Sequence, residues 1–131
     1  MASEIRTVTI DCHNAYDLSQ WWSKVLGYAE PPDDRNEPGH EECLIVDPEG
    51  AGPALLFIEV PDDKVIKNRL HLDISSRQYT RDAEAGWLTG NGATLVADHR
   101  TTDGAGWLTL ADPEGNEFCI VRSDAERAGT L

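Results

Sequence analysis

Polar and apolar residues alternate near the start of the chain. Residues Thr7–Cys12 follow this period of two and include β-branched side chains, which is typical of a strand with one buried face. A helix is predicted over Ala15–Leu26, with Asn14 as its N-cap and Gly27 as the residue that ends it. Its apolar residues recur at the helical spacing i, i+4, i+7 and i+8: Leu18, Trp22, Val25 and Leu26. The pattern therefore predicts a strand followed by an amphipathic helix.

The rest of the first half favours strands joined by turns. A short strand is predicted to begin at Tyr28–Ala29, and two longer strands are predicted over Cys43–Asp47 and Ala54–Val60. Pro, Asp, Asn and Gly dominate Pro31–Gly39, so we expect a loop there. Together these elements make one βαβββ module.

The second half repeats this order of elements. After a break at Pro61–Asp63, the pattern predicts a strand over Leu70–Ile74 and a helix from about Tyr79 to Gly90. Three more strands and a glycine-rich loop complete the module: strands Ala93–Ala97, Trp107–Asp112 and Glu117–Arg122, and loop Thr101–Gly106. The tail from Ser123 has no apolar pattern, so it is predicted to fray.

A four-residue turn motif occurs twice. The Asp-Pro-Glu-Gly sequence of Asp47–Gly50 recurs at Asp112–Gly115, displaced by 65 positions (47 to 112). The same displacement relates two further pairs: Trp22 with Trp87, and Gly27 with Gly92. Three landmarks in one register indicate a duplicated module. We expect both tryptophans to pack between a helix and a sheet.

The duplication predicts the fold class. Each module alone leaves one face of its sheet uncovered, and two modules side by side can curve into a cup. The predicted class is α+β, in which tandem βαβββ modules form a curved, eight-stranded, cup-like sheet with the helices on its outer face. We expect a single domain over residues 1–131, made of module 1 (about 1–62) and module 2 (about 66–124).

Strand alternation separates the predicted core from the predicted pocket. The side chains on the helix side form the core: Val8, Ile10, Leu72, Ile74, Phe118 and Ile120. The alternate side chains line the pocket: Thr7, Thr9, Asp11, Arg69, His71, Asp73, Glu117 and Cys119. Trp107, beside Gly104 and Gly106, is expected on the pocket rim.

Composition narrows the classes of partner. The formal net charge of −13, from 24 acidic residues against 11 Lys and Arg, repels phosphate backbones and anionic lipid, so we expect no nucleic-acid and no membrane partner. Met1–Arg6 lacks the layout of a signal peptide. The three cysteines contain no CxxC pair and favour reduced thiols over a disulfide framework: Cys12, Cys43 and Cys119. A cytoplasmic protein with a small-molecule ligand is expected.

Three segments carry a resemblance to a known superfamily. Trp21–Tyr28 resembles the helix end of the glyoxalase, bleomycin-resistance and dioxygenase superfamily, which has the vicinal oxygen chelate fold. Asn68–Asp73 and Asp112–Phe118 resemble the second-module strand and the last hairpin of its glyoxalase-like branch. The similarity covers nearly the whole chain and implies a glyoxalase-like domain. It also implies a homodimer, since members of this fold commonly pair as twofold dimers.

The resemblance also implies four metal-ligand positions, two from each module. In this chain they match Thr7, Ile58, His71 and Cys119, of which only His71 is a strong conventional ligand. We therefore expect no cofactor, with a divalent metal at His71 as the lesser alternative. A one-residue slip of the third strand would turn Glu59 inward and give a three-donor zinc site with His71 and Cys119. Cys119 is otherwise expected to be a small buried thiol rather than a nucleophile.

These residues are compatible with three classes of function. The third, which we expect least, is a sensor domain that binds a metabolite. The first is a glyoxalase-like enzyme of lyase or isomerase type acting on a small oxygenated organic molecule, with His71 as general base and Asp73 or Glu117 orienting it. The ligand-binding residues would be Thr7, Thr9, Asp11, Arg69, Trp107 and Cys119. The second is a non-catalytic protein of the bleomycin-resistance type that sequesters a cationic drug, which the acidic charge favours.

Overall fold

A computed structural model describes residues 2–131, and in these residues seven strands and three helices form an α+β structure. The chain divides into two compact units, the first ending at Asp63 and the second beginning at Lys64. The predicted α+β class is confirmed. Within the described residues, no helix is both long and apolar enough to cross a bilayer.

The first unit is a three-stranded sheet with one helix. Its elements are β1 (Thr7–Cys12), α1 (Ala15–Leu26), β2 (Glu42–Ile45) and β3 (Ala54–Glu59), and the strand order is β1-β3-β2. The helix has the predicted bounds, because the Asn14 side chain accepts a hydrogen bond from the Asp17 amide at 3.0 Å and Gly27 adopts a left-handed φ of 68°. β3 runs parallel to its neighbour β1 and antiparallel to its neighbour β2.

The second unit repeats this plan with a fourth strand. Its elements are β4 (Leu72–Ile74), α2 (Arg81–Gly90), β5 (Thr94–Asp98), β6 (Leu108–Ala111), β7 (Glu117–Ile120) and α3 (Asp124–Arg127). The strand order is β4-β7-β6-β5, in which β4 and β7 are parallel as β1 and β3 are. The first three strands of the second sheet therefore repeat the order and directions of the first sheet.

The strand predicted to begin at Tyr28–Ala29 is reduced to a single bridge. Ala29 pairs with Val46 through two backbone hydrogen bonds of 2.9 and 2.8 Å. Pro31 and Pro32 follow after Glu30 and have no amide hydrogen with which to continue a ladder. The described residues thus contain a three-stranded and a four-stranded sheet, and the predicted eight-stranded cup is not confirmed.

Each unit buries its own apolar layer. In the first unit, Trp22 of α1 and Phe57 of β3 are fully buried, and in the second unit Leu88 of α2 is buried together with Phe118 and Ile120. The remaining members of the predicted core are only half-buried: Val8, Ile10, Leu72 and Ile74. They lie on β1 and β4, which are edge strands of their sheets.

The prediction that Trp87 packs against the sheet is wrong, because its side chain is 44% exposed. The two helices begin at Ala15 and Arg81, so within them the repeat is displaced by 66 positions (15 to 81) rather than 65. This register matches Trp22 with Leu88, and both are buried. The displacement of 65 positions taken from the turn motif is therefore one residue too short for the helices.

The predicted fraying of the tail is also wrong at Asp124–Arg127, which form α3. The Ser123 side chain caps this short helix by accepting from the Glu126 amide at 3.1 Å. The Glu126 carboxylate in turn accepts from the Arg81 amide, the first residue of α2, at 2.7 Å. The tail satisfies a backbone donor that a helix start leaves without a partner.

Candidate functional site

A row of side chains crosses three strands of the second unit on the face opposite Phe118. Asp73 of β4 lies opposite Cys119 of β7, and Cys119 lies opposite Thr109 of β6. Since neighbouring residues on a strand point to opposite faces, these three share the face that Phe118 does not use. Strand pairing has therefore brought a carboxylate, a thiol and a hydroxyl together.

His71 completes this group from the position just before β4. Its Nδ1 lies 3.7 Å from Cys119 Sγ and 3.7 Å from Asp73 Oδ1, and the Thr109 hydroxyl lies 3.4 Å from the same sulfur. One ligand atom from each of His71, Asp73 and Cys119 falls within 4.8 Å of the others. The thiol is buried, with Cys119 3% exposed, whereas the side chains of His71 and Asp73 are 39% and 61% exposed. We call these three residues the donor triad.

The sequence predicted His71, Asp73 and Cys119 as pocket residues, with Asp73 as an orienting acid rather than a metal donor, and it did not predict Thr109. Alternation along β6 could have placed its hydroxyl on this face, since it lies between the buried Leu108 and Leu110. The expectation of no cofactor counted only the four family positions, and Asp73 lies outside them. The triad fits a metal as a possible occupant, so that expectation does not have the support of the structure.

The Glu117 carboxylate is bonded to residues outside the donor triad. Its carboxylate accepts from Lys67 Nζ at 3.2 and 3.3 Å and from the Asn68 amide at 3.2 Å, while its own amide donates to Asn68 Oδ1 at 3.3 Å. Burial alone would raise the pKa of this carboxyl, but the bonds from Lys67 and Asn68 outweigh it and lower the pKa. Glu117 thus fixes the segment that leads to His71, and the neighbouring Arg69 is exposed.

The first unit has an equivalent row with different chemistry. Ile58 of β3 lies between Asp11 of β1 and Glu42 of β2. Thr7, Thr9 and Asp11 are all exposed on this face, as alternation predicts. Matched through the ladders, Thr9 rather than Thr7 corresponds to His71.

The suggested slip of β3 does not occur. Glu59 pairs with Cys12, and its carboxylate accepts from the Ala15 amide at 3.2 Å at the start of α1. It therefore lies on the helix side of its sheet and is not a member of the Ile58 row.

Trp107 stacks on His99. Their ring centroids are 4.8 Å apart with 30° between the ring planes, and the His99 amide donates to the Trp107 carbonyl at 2.9 Å. Trp107 stands two residues before Thr109, so the two side chains share a face of the hairpin. The sequence predicted Trp107 as a rim residue and gave no prediction for His99, because the pairing of His99 with Trp107 extends beyond the strand ends that the pattern marks.

The first unit also contains an acidic cavity of about 380 Å³. Its lining residues are His13, Glu41, Glu59, Val60 and Pro61. The His13 side chain is held at the backbone carbonyl of Asp62, 2.9 Å away. The cavity is within the usual size range of small-molecule pockets.

The family to which this chain belongs is shown by its match to a family model. A family model described as a glyoxalase-like domain matches residues 7–121. The chain belongs to the glyoxalase-like domain family. No curated protein sequence matches it.

Solved structures of the superfamily share the fold of this glyoxalase-like protein. A glyoxalase/bleomycin resistance protein/dioxygenase family enzyme from Burkholderia phytofirmans is 20% identical, with a TM-score of 0.66 over 90% of this chain and 97% of that one. A superfamily member from Sphaerobacter thermophilus is 19% identical, with a TM-score of 0.64 over 93% and 98%. A mutant of the fosfomycin resistance protein FosX from Listeria monocytogenes, in complex with Mn(II) and 1S,2S-dihydroxypropylphosphonic acid, is 14% identical, with a TM-score of 0.68 over 97% and 96%.

The donor triad of the glyoxalase-like protein fits a divalent metal of the zinc type. Imidazole nitrogen, thiolate sulfur and carboxylate oxygen are the three donor types that zinc takes in proteins. Around a tetrahedral zinc, N···S and N···O donor pairs stand about 3.4–3.6 Å apart. The two 3.7 Å separations from His71 Nδ1 are close to that spacing. Three protein donors would leave a fourth position for water or substrate.

Proposed function

We propose that this protein is a metal-dependent, glyoxalase-like enzyme of lyase or isomerase type that acts on a small oxygenated organic molecule. The observation that carries the proposal is the convergence of His71, Asp73 and Cys119 ligand atoms within 4.8 Å of one another. A mixed N, O and S donor set favours Zn²⁺ or a similar transition metal over Mg²⁺ or Ca²⁺, which prefer oxygen donors alone.

The ion, when bound, would polarise a substrate oxygen and lower the pKa of a bound water. The chain's own residues would hold and orient it. Thr109 contacts the Cys119 sulfur at 3.4 Å and so restrains the one buried donor of the triad. The bonds of Glu117 to Lys67 and Asn68 fix the approach to His71. Both groups act as outer partners that orient the ligands.

Titration of metal-free protein with Zn²⁺, and with Co²⁺ as a spectroscopic probe, tests the proposal. We expect one ion per chain and a near-ultraviolet absorption band from a cobalt–thiolate bond. His71→Ala, Asp73→Ala and Cys119→Ser should each weaken binding by more than about tenfold. His40→Ala, which removes an exposed loop histidine, is the matched control. Metal content well below one ion per chain, or equal affinities for triad and control variants, would contradict the proposal.

Turnover supplies a second test once a substrate is found. His71→Ala should abolish it whether the imidazole binds the ion or acts as a general base. Asp73→Asn separates the two roles, because an orienting carboxylate affects the pH profile of the rate while a ligand affects the metal affinity. Activity that survives His71→Ala excludes both roles.

A second candidate function is sequestration of a cationic drug in the acidic cavity of the first unit. Glu41 and Glu59 line this cavity of about 380 Å³, and the net charge of −13 attracts cations. A thermal-shift measurement with a bleomycin-type glycopeptide tests this function, since a ligand at 100 times its Kd stabilises by about 2.7 kcal/mol. Glu41→Gln should reduce the shift. A shift without metal binding favours the binder, and metal binding without a shift favours the enzyme.

We further propose a cytoplasmic homodimer. The cysteines suit a reducing compartment, because Cys12, Cys43 and Cys119 are all buried thiols rather than members of disulfides. The dimer rests on the family resemblance. Light scattering coupled to gel filtration measures it directly, and a monomer at micromolar concentration would exclude it.

A further inference from the structure

The stacked pair of Trp107 and His99 belongs to the same sheet face as the donor triad. The β5–β6 ladder pairs Ala97 with Thr109 and Asp98 with Leu108, and the bond from the His99 amide to Trp107 continues it by one step. His99 and Trp107 are therefore directly opposed, on the face that carries Thr109 and Cys119.

Strand pairing makes Trp107 a near neighbour of the donor triad on this sheet face. Cys119 lies opposite Thr109, so Trp107, two residues before Thr109, is the diagonal neighbour of Cys119. Diagonal neighbours on one face have Cα atoms about 7–8 Å apart, a distance that aromatic side chains bridge. The indole is 44% exposed, so its surface is available to a ligand.

The loop before Trp107 is fixed by a buried cation. Arg81 of α2 is 5% exposed, and its Nη1 donates to the carbonyls of Gly104, Ala105 and Gly106 at 3.2, 3.0 and 3.0 Å. A Cβ on Gly106 would lie 2.0 Å from the His99 carbonyl oxygen, so the two sides of the hairpin are in close contact here. The aromatic pair is thus held in place before any ligand arrives, which lowers the entropic cost of binding.

We infer that Trp107 and His99 form the aromatic wall of the donor-triad site and select ligands that carry a planar, aromatic group next to their oxygen donors. This inference rests on the proposed function, because it takes the triad as the place where those oxygens bind. At the usual diagonal spacing of about 7–8 Å between Cα atoms, a ring attached to the donor group directly or through one or two bonds would reach the indole. The substrate class is then an aryl-substituted oxygen compound rather than a short aliphatic one.

Two uncharged chelators with the same donor atoms test this selectivity. Benzohydroxamic acid and acetohydroxamic acid present identical oxygens and differ by a phenyl group in place of a methyl group. We expect calorimetry to show that the zinc-loaded protein binds benzohydroxamic acid about 3- to 10-fold more tightly than acetohydroxamic acid. This is the gain in affinity expected from one aromatic contact. Trp107→Ala should remove this preference while leaving the affinity for Zn²⁺ unchanged. Trp87→Ala, which removes an equally exposed tryptophan on α2, should keep it.

The outcomes separate the aromatic wall from the metal site. Equal affinities for the two hydroxamates in the wild type, or a preference that survives Trp107→Ala, overturn the wall and leave the metal proposal intact. If Zn²⁺ does not bind, the metal proposal fails, and the wall is tested on metal-free protein by the indole N–H signal of Trp107, assigned through Trp107→Phe. A shift of that signal with the benzo compound alone supports the wall, and an unmoved signal overturns it.

Discussion

Ile58 occupies in the first sheet the position that Cys119 occupies in the second. Asp11 lies opposite Ile58 across a parallel pair of strands, as Asp73 lies opposite Cys119. The first unit therefore has the flanking acid of the donor triad but an aliphatic side chain at its centre. The two units share this strand frame, and the residue at its centre decides whether the frame carries a metal donor.

Ile58→His should give the first unit a metal site of its own. Residues opposite each other have Cβ atoms about 4.5–5.5 Å apart, so the new imidazole would lie between the carboxylates of Asp11 and Glu42. Titration with Co²⁺ should show an additional equivalent. In a His71→Ala background the same change should restore one bound ion.

Leu56→His is the matched control for this design. Leu56 lies on the same face of β3, but its partners are Thr9 and Leu44, which supply no carboxylate. It should add no site. Equal metal uptake by the two variants would show that the flanking acids of the Ile58 row do not contribute.

Removal of the buried guanidinium of Arg81 should destabilise the protein by roughly 2–4 kcal/mol. Arg81→Ala removes the guanidinium bonds to three carbonyls of the Gly104–Gly106 loop, of which Ala105 keeps the Thr101 amide as a donor, and it opens a cavity beside α2. Urea denaturation followed by circular dichroism measures the change. Arg35→Ala, which removes an exposed guanidinium paired with the half-buried Glu30, should stay within about 0.5 kcal/mol and serves as the control. A loss no larger than that of the control would mean that the loop does not depend on Arg81.

Local sequence patterns correctly predicted the elements whose ends are marked by capping residues. Asn14 and Gly27 bound α1 as expected, because a side-chain cap and a left-handed glycine act within a few residues. Alternation also placed Asp73 and Cys119 on one face. Their approach to each other depends on the parallel pairing of β4 with β7, which joins segments far apart in sequence and has no local signature.

The register of the repeat differs between the turns and the helices, and this difference made the prediction for Trp87 wrong. Trp87 matches Trp22 at the displacement of the turn motif, 65 positions, but the helices are displaced by 66 positions, which matches Trp22 with Leu88. His99 received no role because the ladder that opposes it to Trp107 continues past the strand ends. The helix register and the pairing of His99 with Trp107 are both set by the folded structure, which a single sequence does not specify.

Acid should weaken the protein partly through Glu117. Its pKa is lowered in the folded state by Lys67 and Asn68, so its contribution to stability is present above its unfolded pKa and is lost as the pH falls through the folded value. The free energy of unfolding in urea, measured between about pH 6 and pH 3, should fall less steeply in Glu117→Gln than in the wild type. Lys67→Ala should flatten the profile in the same direction. An unchanged slope in both variants would exclude this linkage.

Two glycine-to-alanine changes should alter stability in opposite directions. Gly106 adopts a φ of +85°, and a Cβ there would lie 2.0 Å from the His99 carbonyl oxygen, so Gly106→Ala must displace the hairpin. We expect a loss of more than about 1 kcal/mol. Gly86 lies inside α2 with nothing within 4 Å of its added Cβ, so Gly86→Ala should stabilise by about 0.5–1 kcal/mol through helix propensity.

The hairpin also connects this stability test to ligand selection. Because the His99 carbonyl belongs to the aromatic wall, Gly106→Ala should reduce the preference for benzohydroxamic over acetohydroxamic acid while Gly86→Ala preserves it. Thermal melts give the two stabilities, and calorimetry on the same samples gives the two preferences. A Gly106→Ala protein that keeps both its stability and its full preference would show that close contact between Gly106 and His99 positions neither the loop nor the wall.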